Sequence, residues 1–229
     1  MGIELDLCQK KLDTYLEGKR SIFPRFYFVA PQDLLKILSN GSDPTQIQDD
    51  FEKMFDAINK VKFDEAEKNM ITEIIQTQGG DESMPLNEGV MAEGNVELWL
   101  TKLEQEMQKS VKSRCLAAAN DFLSLKFTGG ASSGEVSEFI HRVNEYQSQF
   151  ALLGIQLIWA QKVTEALEVK QKDRKAEFKK KQEEIKKMLV ELTNLCMGDI
   201  KGSKYARMKI ETLVTIHVNQ VTNTDEIRR

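Results

Sequence analysis

The residues able to do chemistry are few and scattered. A phosphate loop needs Gly-x-x-x-x-Gly-Lys-Ser/Thr, so that backbone N–H groups cradle the phosphates and the Lys adds charge. The nearest stretch is Gly129 to Gly134, where Glu135 stands in place of the Lys and no strand pattern precedes the loop. A carboxylate there repels phosphate, so the stretch reads as a flexible connector. A structural zinc site needs about four Cys or His ligands at close spacing. Cys8, Cys115, His141, Cys196 and His217 are far apart and form neither Cys-x-x-Cys nor His-Glu-x-x-His. His141 reads as a surface or packing residue, and His217 as a helix-end residue. The carboxylates of Asp49, Asp50, Glu52 and Asp56, and of Asp64, Glu65 and Glu67, form acidic runs. Acid–base work needs surroundings that drive two pKa values apart, and these runs read instead as solvated faces. Residues 170–187 hold nine Lys or Arg against four Asp or Glu. They read as the solvated side of a helix; a surface for an acidic partner is the alternative. Their one aromatic, Phe178, sits at heptad spacing from Ile185, and interleaved aromatics of the kind that single-strand binding uses are lacking. Catalytic, cofactor and metal sites are therefore expected to be absent, and the chain is expected not to be an enzyme.

Composition narrows the classes further. The 229 residues carry a net charge of −4, with 41% hydrophobic and 30% charged residues. That is a foldable composition, and it is not the basic balance of a dedicated nucleic-acid binder. The longest apolar run, 150–160, is too short to cross a bilayer, and the N-terminus lacks a signal-peptide pattern. Neither a nucleic acid nor a membrane is expected as partner. Three cysteines point to a reducing compartment without a disulfide framework.

All four prolines lie within the first 85 residues, so the remainder is free to form long helices. Helical spacing predicts a helix over 3–20 through Leu5, Cys8, Leu12, Tyr15 and Leu16. The block Ile22-Phe23-Pro24-Arg25-Phe26-Tyr27-Phe28 reads as a buried, partly extended connector. Pro31 opens a short helix that Asn40-Gly41 closes. Asp43 caps the next, which Pro44 begins and whose apolar stripe reaches Ile58. Around Gly79-Gly80, two short extended pieces predict a β-hairpin, with Pro85 confining the second to an edge. Val96, Trp99, Leu103, Met107, Val111, Arg114 and Ala118 predict a helix over 95–126, about 48 Å long. Further helices are expected from Val136, over 152–167 (apolar nearly all round, which suggests a central buried helix), over 173–197 and over 203–217. The expected fold is mainly α, an elongated multi-helix bundle with one short β-hairpin. Its expected divisions are 1–68, a helical part with the aromatic connector; 69–93, a hairpin insertion; and 94–229, a long-helix bundle.

Cys8-Gln9-Lys10-Lys11-Leu12, Tyr15-Leu16-Glu17 and Lys19-Arg20, followed by Phe23-Pro24-Arg25-Phe26-Tyr27-Phe28, closely resemble the linker region of dynein heavy chains. Later landmarks keep the order. They are Phe55-Asp56-Ala57-Ile58, Met84-Pro85-Leu86, Gly94-Asn95-Val96-Glu97-Leu98-Trp99-Leu100, Gln156-Leu157-Ile158-Trp159 and Leu213-Val214-Thr215-Ile216-His217-Val218. Residues 38–44 resemble axonemal more than cytoplasmic chains. The family often has a proline near Tyr146-Gln147-Ser148-Gln149, and this chain has none.

The resemblance implies a linker arch just before the first AAA+ module. Such a segment is a non-catalytic lever that couples ATP-driven changes in the ring to a power stroke along microtubules. ATP and Mg would belong to the ring of the parent motor, with no cofactor in this segment. Partners would be that ring in cis, with dynein complex subunits and microtubules reached through the parent. The setting would be the cytoplasm and cytoskeleton, with the axoneme of a cilium or flagellum favoured. Phe23, Pro24, Arg25, Phe26, Tyr27, Phe28, Trp99 and Trp159 would be structural motif residues. Phe23, Phe26 and Phe28 are expected to anchor a helix junction, Arg25 to need a carboxylate or carbonyl partner, and Gly79-Gly80 to touch the ring. A free-standing helical scaffold is the alternative.

Overall fold

A computed structural model of the chain describes residues 2–41, 43–76, 82–125, 133–197 and 204–228. Among these, eight α-helices and a three-stranded antiparallel sheet make the fold mainly α. The chain separates into two compact units, Met1–Val111 and Lys112–Arg229.

In the first unit, α1 (Gly2–Ile22) runs into a 3-10 helix, Pro24–Phe28. The expected extended connector is therefore helical. Pro24 presets the first helical φ, and the N–H groups of Phe26 and Val29 donate to the carbonyls of Phe23 and Phe26 at 3.0 and 3.1 Å. Helix α2 (Pro31–Ser39) begins at its proline, and Leu34 and Ile37 face inward. Asp43 caps the next turn by accepting from the Thr45 N–H at 3.1 Å. In place of one helix to Ile58, the chain forms a 3-10 helix, Pro44–Asp50, and a short α3 (Phe51–Met54). Phe55 turns extended, which lets the chain enter β1 (Lys60–Phe63).

Strand β1 was not expected. It pairs with β2 (Met70–Gln76), which pairs in turn with β3 (Glu82–Met91) in the order β1-β2-β3. The hairpin thus exists, but its Gly79-Gly80 turn lies outside the described residues. Pro85 sits on an edge strand, where a missing N–H costs least. Between β1 and β2, the Asp64 side chain accepts from the N–H groups of Ala66 and Glu67, and Asn69 takes a left-handed φ of 78°.

Helix α4 (Val96–Ser124) covers the outer strand. The Asn87 N–H donates to Ser110 Oγ at 2.9 Å and the Glu88 N–H to Glu106 Oε1 at 3.1 Å. Side chains of α4 thereby satisfy backbone donors that an open edge would expose. The core of this unit gathers Phe23, Phe26, Ile37, Phe51, Ile71 and Trp99, among others.

The second unit comprises residues 112–124 of α4, then α5 (Ser133–Glu145), α6 (Ser148–Glu168), α7 (Gln171–Met197) and α8 (Lys204–Arg228). The break before α6 needs no proline: Gln147 is extended at φ −60°, ψ 156°. Helix α6 buries Phe150, Ile155, Ile158 and Ala166 on one face, while Gln156, Ala160, Gln161, Thr164 and Leu167 stay exposed, so the helix is not enclosed on all sides as its apolar composition suggests. Gly154 permits a close approach, since a Cβ there would lie 2.2 Å from the Phe122 ring. Helix α8 extends to Arg228, well past 217, because its later turns also bury side chains, Gln220 and Thr224. The connector 129–134 and the turn between Gly198 and Gly202 fall largely outside the described residues.

Candidate functional site

The aromatic block organises the first unit. A 3-10 helix repeats every three residues, so side chains at i and i+3 eclipse. Phe23, Phe26 and Val29 therefore share one face and are all buried. Phe23 and Phe26 meet edge-to-face at 4.9 Å, and Phe23 lies 6.3 Å from Phe55. Phe28 is on another face and is 76% exposed. The expectation that Phe28 anchors the junction is thus corrected by the period: an extended chain would put it beside Phe26, and a three-residue turn does not. Tyr27 is exposed too; its hydroxyl donates to Glu17 Oε1, and that hydrogen bond raises its pKa.

Two cations tie this region to α4. Lys19 Nζ lies 2.5 Å from Glu97 Oε1, and Arg25 Nε donates to Glu104 Oε1 at 2.8 Å. Glu97 and Glu104 are two turns apart and present one acceptor row. Arg25 Nη1 also donates to the Met54 carbonyl at 3.3 Å, and its guanidinium stacks 4.9 Å from the Phe55 ring centre. Arg25 thus has a carboxylate partner and a carbonyl partner, where either one was expected. A second cluster centres on Asp50, 2.8 Å from Lys53 Nζ and 3.3 Å from Lys36 Nζ. Hydrogen bonds to Asp50 and then Asp33 raise the Lys53 pKa.

Trp99 is buried in the first unit's core, and its indole N–H has no acceptor among the described residues. Trp159 belongs to the second unit. Its indole N–H donates to Thr224 Oγ1 at 2.9 Å, joining α6 to α8, and it packs beside Val163, Ala166 and Phe178. The motif residues thus fall into two separate places. Gly79 and Gly80 lie outside the described residues.

The second unit holds polar groups that the pattern did not reveal. Lys162 and Glu184 form a buried ion pair at 2.5 Å between α6 and α7. His217 is in mid-helix and 1% exposed, with Nε2 at 3.0 Å from the Ile185 carbonyl, which corrects its reading as a helix-end residue. Burial lowers its pKa. Asp121 accepts from the Tyr146 hydroxyl, and burial followed by this bond pushes the Tyr146 pKa up to about 12. Lys181, from the basic run, is drawn to Glu165 at 2.5 Å, while Lys172, Lys175, Lys179 and Lys180 remain exposed. His141 is exposed, as expected, beside Glu145. Among the described residues no three His, Cys, Asp or Glu side chains are grouped as metal ligands, and no helix is long and apolar enough to cross a membrane.

The arrangement is one of packing and ion pairing, and comparison with known proteins gives it a family. Residues 1–118 match the model described as dynein heavy chain, N-terminal region 2. The chain belongs to the dynein heavy chain family. Over 98% of its length it is 37% identical to axonemal dynein heavy chain 5 of Rattus norvegicus, spanning 6% of that protein. Over 98% it is also 35% identical to axonemal dynein heavy chain 8 of Homo sapiens, spanning 5% of it. The gamma chain of the flagellar outer arm of Chlamydomonas reinhardtii is 30% identical over 98% of this chain. The chain therefore spans about one-twentieth of these dynein heavy chains, and its relatedness runs through both units.

Proposed function

We propose that this segment is a mechanical lever of a dynein heavy chain. It passes ATP-driven movements of the AAA+ ring into displacement along microtubules and has no catalysis of its own. The observation that carries this reading is the family likeness over nearly the whole chain, joined to a body in which helices of 21 to 29 residues do most of the building. Force passes along a helix through its hydrogen-bonded ladder, and packed cores transmit strain rather than absorb it. Bistable packing at a junction supplies the switch that a stroke needs. The aromatic 3-10 turn, clamped to α4 by Lys19 and Arg25, suits such a junction. The nucleotide chemistry is assigned to the ring, because the stretch nearest to a phosphate loop, Gly129 to Gly134, is followed by Glu135 in place of Lys and does not suit a phosphate. Axonemal relatives favour a place in the axoneme of a cilium or flagellum.

The test uses the full heavy chain carrying Phe26→Leu, which loosens the junction without emptying it. Microtubule gliding is expected to slow while ATP turnover persists, since coupling fails and chemistry does not. Equal loss of both, or unchanged gliding, would overturn the lever. The purified chain itself is expected to hydrolyse no ATP.

A further inference from the structure

Beside the aromatic turn lies a depression of about 370 Å³, lined by Arg25, Phe28, Glu52, Lys53, Phe55 and Asp56, among others. Three features set it apart. Arg25 and Phe28 are three residues apart on a 3-10 helix and so share a face. The Phe28 ring is 76% exposed, an apolar surface left in water by a turn that buries its other two phenylalanines. The charge left over at the rim is negative. Arg25 is matched by Glu104 and Lys53 by Asp50 and Asp33, whereas Glu52 and Asp56 are exposed and have no ion-pair or hydrogen-bond partner among the described residues.

We propose that this depression docks an arginine side chain presented by a partner polypeptide, the guanidinium lying on Phe28 and donating to Glu52 and Asp56. An aromatic face attracts a cation through its quadrupole. A guanidinium also stacks flat and offers a fork of donors to carboxylates, which an ammonium does not. Arg25 on Phe55 shows the same stacking nearby at 4.9 Å, and Glu104 neutralises it, so the resident cation does not repel the incoming one. An acidic partner would meet two free carboxylates. A purely apolar one would desolvate them without compensation. The site does not depend on the lever reading and stands or falls separately.

The probe is N-acetyl-arginine amide, titrated into the full chain while NMR follows the Phe28 ring and the Glu52 and Asp56 side chains. N-acetyl-citrulline amide, neutral and of the same shape, is the control. Saturable shifts are expected at these three residues with the arginine probe only. Phe28→Ala, which removes an exposed ring and leaves the core untouched, is expected to raise the half-saturating concentration roughly fivefold or more. Glu52→Gln with Asp56→Asn is expected to do the same, and Phe28→Tyr to preserve binding. Shifts that never saturate, that spread over the acidic surface, that persist in the variants or that citrulline reproduces would overturn the proposal.

Discussion

The two units bury charge in different ways. In the first, Asp50 is 1% exposed, but Lys36 and Lys53, which answer it, are 53% and 38% exposed. In the second, Lys162 and Glu184 are both withdrawn from water, and His217 is buried on the next helix, against the carbonyl of the residue after Glu184. A carboxylate with a solvated cation can re-pair or be hydrated when one partner is lost. A pair withdrawn at both ends cannot, because the survivor is left as an unpaired buried charge. The first unit should therefore depend on its aromatics, and the second on its polar matches.

The largest effect should come from the aromatic turn. Phe26→Ala empties a fully buried site and is expected to cost about 3–5 kcal/mol. Phe28→Ala, on the exposed face of the same turn, should stay within about 0.5 kcal/mol. Urea unfolding followed by circular dichroism separates the two. Similar costs would mean that the three-residue period does not set which rings support the fold.

Next comes the buried pair. Lys162→Met alone strands Glu184 and should cost about 3 kcal/mol. Replacing both by Met and Leu should recover most of that loss. By contrast, Lys36→Ala should cost under about 1 kcal/mol, since Asp50 keeps Lys53. If Lys36 matters as much as Lys162, the distinction between one-sided and two-sided burial is wrong.

These contrasts also explain what could be read in advance. Helices α1, α2 and α4 to α7 follow from apolar spacing, and Asp43 from its capping chemistry, because each rests on neighbours in the chain. The β2–β3 pairing and the edge position of Pro85 follow from local turn and backbone chemistry. Strand β1 escaped because four residues, Lys-Val-Lys-Phe, are too few to establish a period. Phe28 escaped because an aromatic run states that rings are present and not which turn arranges them. Lys162 stands inside a helix otherwise read as apolar, and its partner is 22 residues further on. The partner of His217 is a backbone carbonyl 32 residues earlier. Such matches exist only after the helices pack, so no spacing rule points to them.

His217 gives the second unit a pH dependence of known sign. Burial depresses its folded pKa below that of the unfolded chain. Above about pH 7 the imidazole is neutral in both states. As pH falls through about 6.5 the unfolded chain takes up a proton that the folded one refuses, and stability declines by up to about 1.4 kcal/mol per pH unit. The loss levels off below the folded pKa. Glu73 and Glu165, held down by hydrogen bonds from Lys62 and Lys181, act in a lower window, below about 4.5, where protonation removes what those bonds contribute. Unfolding midpoints at pH 7.5 and 5.5 should therefore differ in the wild type and converge in His217→Gln. An equal slope in the variant would remove His217 as the cause.

Arg25 should contribute only modestly, although it makes more kinds of contact than any residue of the turn. Its side chain is 38% exposed, so water screens the pair with Glu104 and hydrates either partner if the other is lost. Stacking on Phe55 and the bond to the Met54 carbonyl add to the pair. Arg25→Ala is expected to cost about 1 kcal/mol, and Arg25→Lys to recover only part of this, since an ammonium keeps the charge but not the flat stack. A double-mutant cycle with Glu104→Gln isolates the ionic share. A coupling well under about 1 kcal/mol would show that stacking, and not the salt bridge, holds Arg25 at the junction. A coupling of several kcal/mol would mean that this pair behaves like Lys162–Glu184, and the difference between the two units would then lie elsewhere than in solvent access.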